Sequence, residues 1–374
     1  MCLASCMVTP LKYRMSEFDL IQRYFTRATP GAVLGVGDDA ALLRISSGME
    51  LAVSTDMLVS GTHFFPDADP FMLGHKALAV NLSDMAAMGA QPRWAMLALS
   101  LPDADEAWLQ KFSEGFFALA DQHGVELVGG DTTRGPLNLC ITIMGEVPQG
   151  IALRRSGAQM GDDIWVSGSL GDAALALAHL QGDVQLTVED FAACAPSLHR
   201  PVPRIALGLA LRGVAHSAID VSDGLLDDLG HILECSNAGA EIQLDALPVS
   251  GVLRTCSGKN QIMSFPRRRE NEARGRSFEE RPSSLINALD SRLRGNDDFL
   301  KEKLLQCCVL AGGDDYELCF TAPVAQRAVI EKISTQLDLP LTRIGTITSG
   351  QGCTVRAADG SVMTMEEQGY DHFR

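Results

Sequence analysis

Apolar positions along the 374-residue chain follow two alternating periods, and these lay out the elements. Phe18, Ile21 and Phe25, with Gln22, recur at helical spacing after Met15, a candidate start. A short strand ending in the Gly35 to Asp39 turn, a strand over 51–54 and a helix over 70–88 stopped at Gly89 come next. A strand over 94–101 leads to a helix opened by Asp103 and Glu106, a capping-box-like pair, and closed at Gly124. Strands over 125–128 and 139–147 complete this half. Past Pro148 the alternation restarts with a strand over 163–167, helices over 172–180 and 205–211, and a strand over 217–221. A helix over 225–236, ended near Gly239, and a strand over 242–246 follow. Asp359-Gly360 is a two-residue hairpin signal. The pattern predicts an α+β fold of two α/β-type domains, residues 15–148 and 149–374, behind an extension over 1–14.

One stretch breaks the pattern. Residues 265–296 hold 8 of the 31 basic residues and 5 of the 47 acidic ones, with little apolar periodicity. Such a segment gains too little burial to offset its ordering entropy, which predicts a mobile insert at about 257–300.

The chain as a whole carries a formal charge of −16, which argues against a nucleic-acid partner held by phosphate electrostatics alone. No apolar run reaches the length of a spanning helix, and the first ten residues lack the basic start of a secretory signal, so a cytoplasmic protein with no membrane partner is expected. The ten cysteines show no C-x-x-C spacing and read as reduced, structural thiols, with Cys307 and Cys308 as core filler.

The chemistry resides in aspartates set beside Gly, Ser or Thr. These are Gly37-Asp38-Asp39, Ser54-Thr55-Asp56, Asn81-Leu82-Ser83-Asp84, Gly129-Gly130-Asp131, Asp220-Val221-Ser222-Asp223-Gly224 and Gly312-Gly313-Asp314-Asp315, read as turns at strand ends. Each alone is a turn or cap signal. Together they offer the carboxylate, hydroxyl and carbonyl oxygens that hard divalent cations prefer, magnesium first. An EF-hand is excluded, because the twelfth position from Asp220 is His231 rather than Glu. Magnesium takes one or two carboxylates plus phosphate oxygens, so the set reads as a nucleotide site. There is no P-loop run and no kinase H-R-D loop. Gly168 to Gly171 is either an anion-binding turn or a plain tight turn into a helix, and Arg155 is either a phosphate contact or a surface ion pair.

These motifs, with His63, the run from His75 to Ala90, Thr132-Thr133-Arg134-Gly135 and the closing Gly369-Tyr370-Asp371-His372-Phe373, resemble the thiamine-monophosphate kinases of the aminoimidazole ribonucleotide synthetase-like superfamily. The resemblance covers about residues 15–256 and 304–373. It implies an N-terminal dimerising sheet domain, a C-terminal α/β domain, a homodimer, and ATP-dependent conversion of thiamine phosphate to thiamine diphosphate. It further implies that Asp39, Ser54, Thr55, Asp56, Asp84, Asp131, Asp220 and Asp223 hold magnesium ions. By the same resemblance Gly130, Asp131, Arg155 and Ser222 bind ATP, His63, Asp314 and Tyr370 bind thiamine phosphate, and Asp84, Asp131 and Asp223 serve catalysis. Two departures stand out. The family's Gly-Gly-Glu-Asp-Tyr-Glu-Leu is here Gly-Gly-Asp314, one methylene shorter, and the basic insert replaces a short connection.

Overall fold

The computed structural model describes residues 16–257, 304 and 306–363. The extension, the insert past 257, and the closing motif with Tyr370 lie outside the described residues.

Ser16 caps the first helix, α1 (Glu17–Leu20), in a reciprocal arrangement with Asp19. The chain then widens into a turn of π-helix over Ile21–Phe25. That change of winding rotates the buried face. Leu20, Tyr24 and Phe25 are inside, whereas Phe18, expected on the apolar stripe, is 80% exposed. The strand expected before Gly37 is reduced to isolated bridges, Leu34 with Leu42 and Val36 with Asp38.

A four-stranded sheet follows, built from β1 (Met49–Val59), β2 (Gln91–Leu101), β3 (Glu126–Arg134) and β4 (Asn138–Pro148) in the order β1-β4-β2-β3. Only the β2/β3 pairing is parallel in this sheet. Its inner face carries α2 (Pro70–Ala87) and α3 (Glu106–His123). Asp69 caps α2 through the Met72 amide, Pro70 opens it with a φ already helical, and Gly89 leaves it at φ 60°. The cap of α3 is Asp105, which takes the Ala107 and Trp108 amides. Asp103 instead accepts from Ala104. The two helices touch backbone to backbone. A Cβ on Gly74 would sit 2.1 Å from the Phe112 carbonyl oxygen, and one on Gly115 would sit 1.9 Å from that of Phe71, so only glycine fits.

The second sheet contains β5 (Asp163–Ser167), β6 (Ser217–Asp220), β7 (Gly239–Gln243), β8 (Leu318–Ala322), β9 (Leu341–Thr348) and β10 (Gly352–Arg356), ordered β10-β7-β9-β5-β8-β6. Around it lie α4 (Asp172–Gln181), α5 (Val188–His199), α6 (Ile205–Ala210), α7 (Leu225–Ser236), α8 (Gly251–Ser257) and α9 (Arg327–Leu337). α5 is absent from the sequence expectation because Pro196 and a thin apolar face, Cys194 and Leu198, mask it. The strand expected over 242–246 ends at Gln243 and gives way to a 3-10 turn.

Period-two alternation sorts this sheet's side chains into two cores. Trp165, Leu318 and Phe320 join the core around α2, whereas Ile164, Val166 and Cys319 join a second core with α4 and α7. α2 is therefore packed between the sheets, and the close approach of Gly208 on α6 to the Ala86 carbonyl fixes its C-terminal end. Each of the eight described cysteines is a free thiol, and Cys307 and Cys308 are buried. Among the described residues no helix is long and apolar enough to cross a membrane.

Candidate functional site

Three of the six acidic motifs lie inside regular elements rather than turns: Ser54-Thr55-Asp56 within β1, Asp84 within α2 and Gly129-Gly130-Asp131 within β3. Pairing with β4 over the whole of β1, eleven residues, holds the polar Ser-Thr-Asp run extended.

On the inner face, the Ser54 hydroxyl donates to Asp84 Oδ2 at 2.5 Å. The Asp56 amide donates to Asn81 Oδ1, while Asn81 Nδ2 donates to the Ala77 carbonyl. β6 ends at Asp220, and Asp223 stands in the loop before α7. Burial, then the charges of Asp84, Asp220 and Asp223, push the Asp56 carboxyl up to about 7. Burial and Asp84 likewise push Asp220 up to about 7, against the opposing pull of Ser83 and Arg155. Asp84 is raised by burial, with the Ser54 hydrogen bond and Arg155 working the other way. These mutual fields place Asp56, Asp84, Asp220, Asp223 and Arg155 in one region.

Among the described residues no three His, Cys, Asp or Glu side chains form a set that could hold a metal ion unaided. The four carboxylates still suit a hard divalent ion bound together with phosphate oxygens. They are oxygen donors, and burial opposes the ionisation of Asp56, Asp84 and Asp220, with carboxylate repulsion adding to it at Asp56 and Asp220, which an arriving cation would relieve.

Thr55 and Asp131 face elsewhere. Alternation along β1 turns Ala52, Ser54, Asp56 and Leu58 inward and Leu51, Val53, Thr55 and Met57 outward, and Thr55 Oγ1 meets Thr142 Oγ1 at 2.9 Å. Asp131 aligns with Ala98, Cys140 and Met57 across the sheet, on that same outer face and at the far edge from β1. Gly130, exposed and paired with Leu97, has φ 151°, and a Cβ there would lie 1.8 Å from the Leu97 carbonyl oxygen, so strand packing alone requires glycine. Asp39 is exposed on its turn, its amide bonded to Asp38.

The loop after β6 is tightly organised by Asp228, a residue the sequence reading passed over. One oxygen, Oδ2, accepts the amides of Ser222, Asp223 and Gly224 at 2.9, 3.0 and 3.2 Å. Burial, with Asp220 and Asp223 nearby, pushes this acid up to about 8. Its signal was positional, since an acid in the first turn of a helix meets unpaired amides. The Gly171 amide is similarly taken by both oxygens of Asp315, each at 3.0 Å, which makes Gly168 to Gly171 a turn closed by the chain itself.

The Asp314 turn docks on this loop. The amides of Asp314 and Tyr316 donate to the carbonyls of Ser222 and Val221 at 2.9 and 2.8 Å. Lys76 Nζ on α2 lies 3.1 Å from Asp314 Oδ2, and the Tyr316 hydroxyl donates to Oδ1 at 3.0 Å. The fields of Asp56 and Asp220 also reach the Tyr316 hydroxyl, so this turn borders the acidic region. Lys76 and Tyr316 lie within the motifs that carry the resemblance but had no role assigned from the sequence. A lone cation within the apolar run of α2 was the signal for the first. His63 follows β1, its Nδ1 accepting the Val59 amide at 3.0 Å.

Residues 37–147 match the family model described as AIR synthase related protein, N-terminal domain. The chain is 44% identical over 361 residues to the thiamine-monophosphate kinase of Salmonella typhimurium, with 96% of this chain and 98% of that one covered. The crystal structure of the thiamine-monophosphate kinase from Stenotrophomonas maltophilia K279a superposes with a TM-score of 0.71 at 47% identity, covering 89% of this chain and 93% of that one. AaThiL complexed with AMPPCP and TMP superposes with a TM-score of 0.67 at 27% identity, over 95% and 96% of the two chains.

Proposed function

The chain belongs to the thiamine-monophosphate kinase family, and from that membership we propose that its acidic region carries direct, in-line transfer of the terminal phosphoryl group of ATP to thiamine phosphate. The observation that carries the reading is the meeting of Asp56, Asp84, Asp220 and Asp223 beside the Asp314 turn. The AMPPCP and TMP bound by a relative supply the matching pair of ligands.

The acceptor is a phosphate monoester with a second pKa of about 6, so its oxygen is already nucleophilic at neutral pH and no side-chain base is required. Attack must overcome the repulsion between about four negative charges on ATP and nearly two on the acceptor. Asp39, Ser54, Thr55, Asp56, Asp84, Asp131, Asp220 and Asp223 would hold magnesium, which when bound screens those charges and aligns the two phosphates. Asp84 is held by Ser54 through its carboxylate, and the backbone that carries Asp223 is held by Asp228. Arg155 and the Ser222 hydroxyl are assigned to ATP with Gly130 and Asp131. His63, Asp314 and, beyond the described residues, Tyr370 are assigned to the acceptor.

The outer face of the four-stranded sheet leaves Leu51, Val53, Met57 and Met96 exposed. A homodimer closed on that face would cover this apolar surface and give Thr55 and Asp131, both turned away from Asp84 within one chain, access to a shared site. The domain boundary near residue 148 is part of the same proposal, and it falls between the last strand of one sheet and the first of the other.

The test is ADP release across a panel of phosphorylated and unphosphorylated acceptors, with and without magnesium. Thiamine phosphate with magnesium should give ADP, and free thiamine should not, because a hydroxyl nucleophile would need a base. Activity on a different acceptor would indicate another ATP-using member of the superfamily. Nucleotide binding without ADP release would indicate a chain that has lost catalysis.

A further inference from the structure

Lys76 is 5% exposed, on a helix where its neighbours three and four residues away, Met72, Leu73, Ala79 and Val80, are apolar. Its ammonium is shared with Asp314, and its charge acts on His199, which also lies in the fields of Arg200, Asp314 and Asp69. The two partners differ in access: the Lys76 side chain is 6% exposed and that of Asp314 26%. The acid keeps an open side, whereas the base is almost wholly covered. Both carboxylate oxygens are committed, Oδ2 to Lys76 and Oδ1 to the Tyr316 hydroxyl. The backbone beneath them is strained, with Asp314 at φ 67° and Tyr316 at φ 51°, conformations that cost free energy in residues with a Cβ.

We propose that Lys76, assisted by the Tyr316 hydroxyl, is a positioning residue for the acceptor, fixing the Asp314 carboxylate against α2 so that its open side is presented to thiamine phosphate. This rests on the functional reading above. A buried ion pair is a poor stabiliser compared with apolar packing, but it is an effective orienting device. Lys76 and Asp84 are eight residues apart on one helix, at i and i+8, with a rise of about 12 Å between them. One rigid element therefore sets both the phosphoryl-transfer acid and the acceptor-contacting acid. Asp314 is a methylene shorter than the family's usual Glu, so its reach depends on where the clamp holds it.

The test is steady-state kinetics of Lys76→Met, Asp314→Asn and the double variant, with Tyr316→Phe as a change that removes a single hydroxyl. For Lys76→Met, the KM for thiamine phosphate should rise at least about tenfold, with the KM for ATP within about twofold of wild type. Tyr316→Phe should move the same constant in the same direction by less. In the Asp314→Asn background the Lys76→Met effect should largely vanish, because there is no carboxylate left to hold. Equal changes in both KM values, or an undiminished effect in the Asp314→Asn background, would reduce Lys76 to a structural role and overturn the proposal. If Lys76→Met does not fold, an unchanged KM for thiamine phosphate in Tyr316→Phe overturns it. A wild-type chain that ignores thiamine phosphate overturns the functional reading and this one with it, which separates the two failures.

Discussion

Asp56, Asp84, Asp220 and Asp223 lie in one region with Arg155 as a cation among them, and burial, then repulsion, raises Asp56 and Asp220. Asp314, on the turn that borders them, has Lys76 at 3.1 Å and a tyrosine hydroxyl at 3.0 Å. Two neighbouring acidic regions are thus handled in opposite ways. In the first, burial and repulsion outweigh the opposing pull of Arg155 and the Ser83 hydroxyl at Asp220, and Asp56 is raised as well, a cost that makes sense where cations arrive with the nucleotide. The second is compensated internally and oriented, which suits a contact to an organic acceptor. Asp228 and Asp315 are a third case, acids satisfied by backbone amides.

The comparison breaks most severely if a member of the first group is dispensable. Asp84→Asn should lower turnover by at least ~100-fold, the scale of losing a preorganised charge contact, and Asp131→Asn, which lies outside that group on the outer face of the sheet, should do the same through the proposed dimer. The melting temperature of Asp84→Asn without metal should not fall, because a repulsive charge is removed. Turnover near wild type at saturating magnesium would remove that aspartate from the site.

A smaller effect sharpens the contrast through pH. Asp56 and Asp220 are raised to about 7 in the folded chain, against about 3.9 when unfolded. Between those values the folded state holds more protons than the unfolded one, so stability without metal falls as pH rises from about 4 to about 7. Tm without magnesium should be lower at pH 8 than at pH 5.5 by at least ~2 °C, the scale of about 1 kcal/mol in a chain of this size. Asp56→Asn should shrink that gap. A gap of opposite sign would show that these carboxylates are stabilised, not strained, by their surroundings.

The smallest effect belongs to the acid satisfied by amides. Asp228→Asn keeps an accepting oxygen and should cost less than about tenfold in turnover, whereas Asp228→Ala leaves buried amides without a partner, at about 1–3 kcal/mol of stability for each group affected. Thermal unfolding of the two variants compares them. Equal destabilisation would show that charge, not hydrogen bonding, holds the loop.

Much of the frame was legible because its signals are local. Asp69-Pro70 and Gly89 mark the ends of α2, and the limits of β5 and α7 match the apolar pattern. α5 was hidden by Pro196, and the start of α3 was misplaced by two residues because Asp103 and Asp105 both resemble caps. The donor types of the site were also legible. Their sorting was not, since which face Thr55 or Asp131 takes depends on strand parity and pairing across four strands. The Lys76–Asp314 contact spans 238 residues of sequence, and only tertiary packing brings it together.

The most direct measurement of the central claim is calorimetric titration of preformed magnesium–AMPPCP into the wild-type chain and Asp56→Asn at pH 6.5, in two buffers of different protonation enthalpy. Carboxylates raised to about 7 must lose protons when a cation binds among them. The account predicts net proton release from the wild-type chain that diminishes in Asp56→Asn. Binding with the same proton release in both chains, or with none in the wild type, would contradict it.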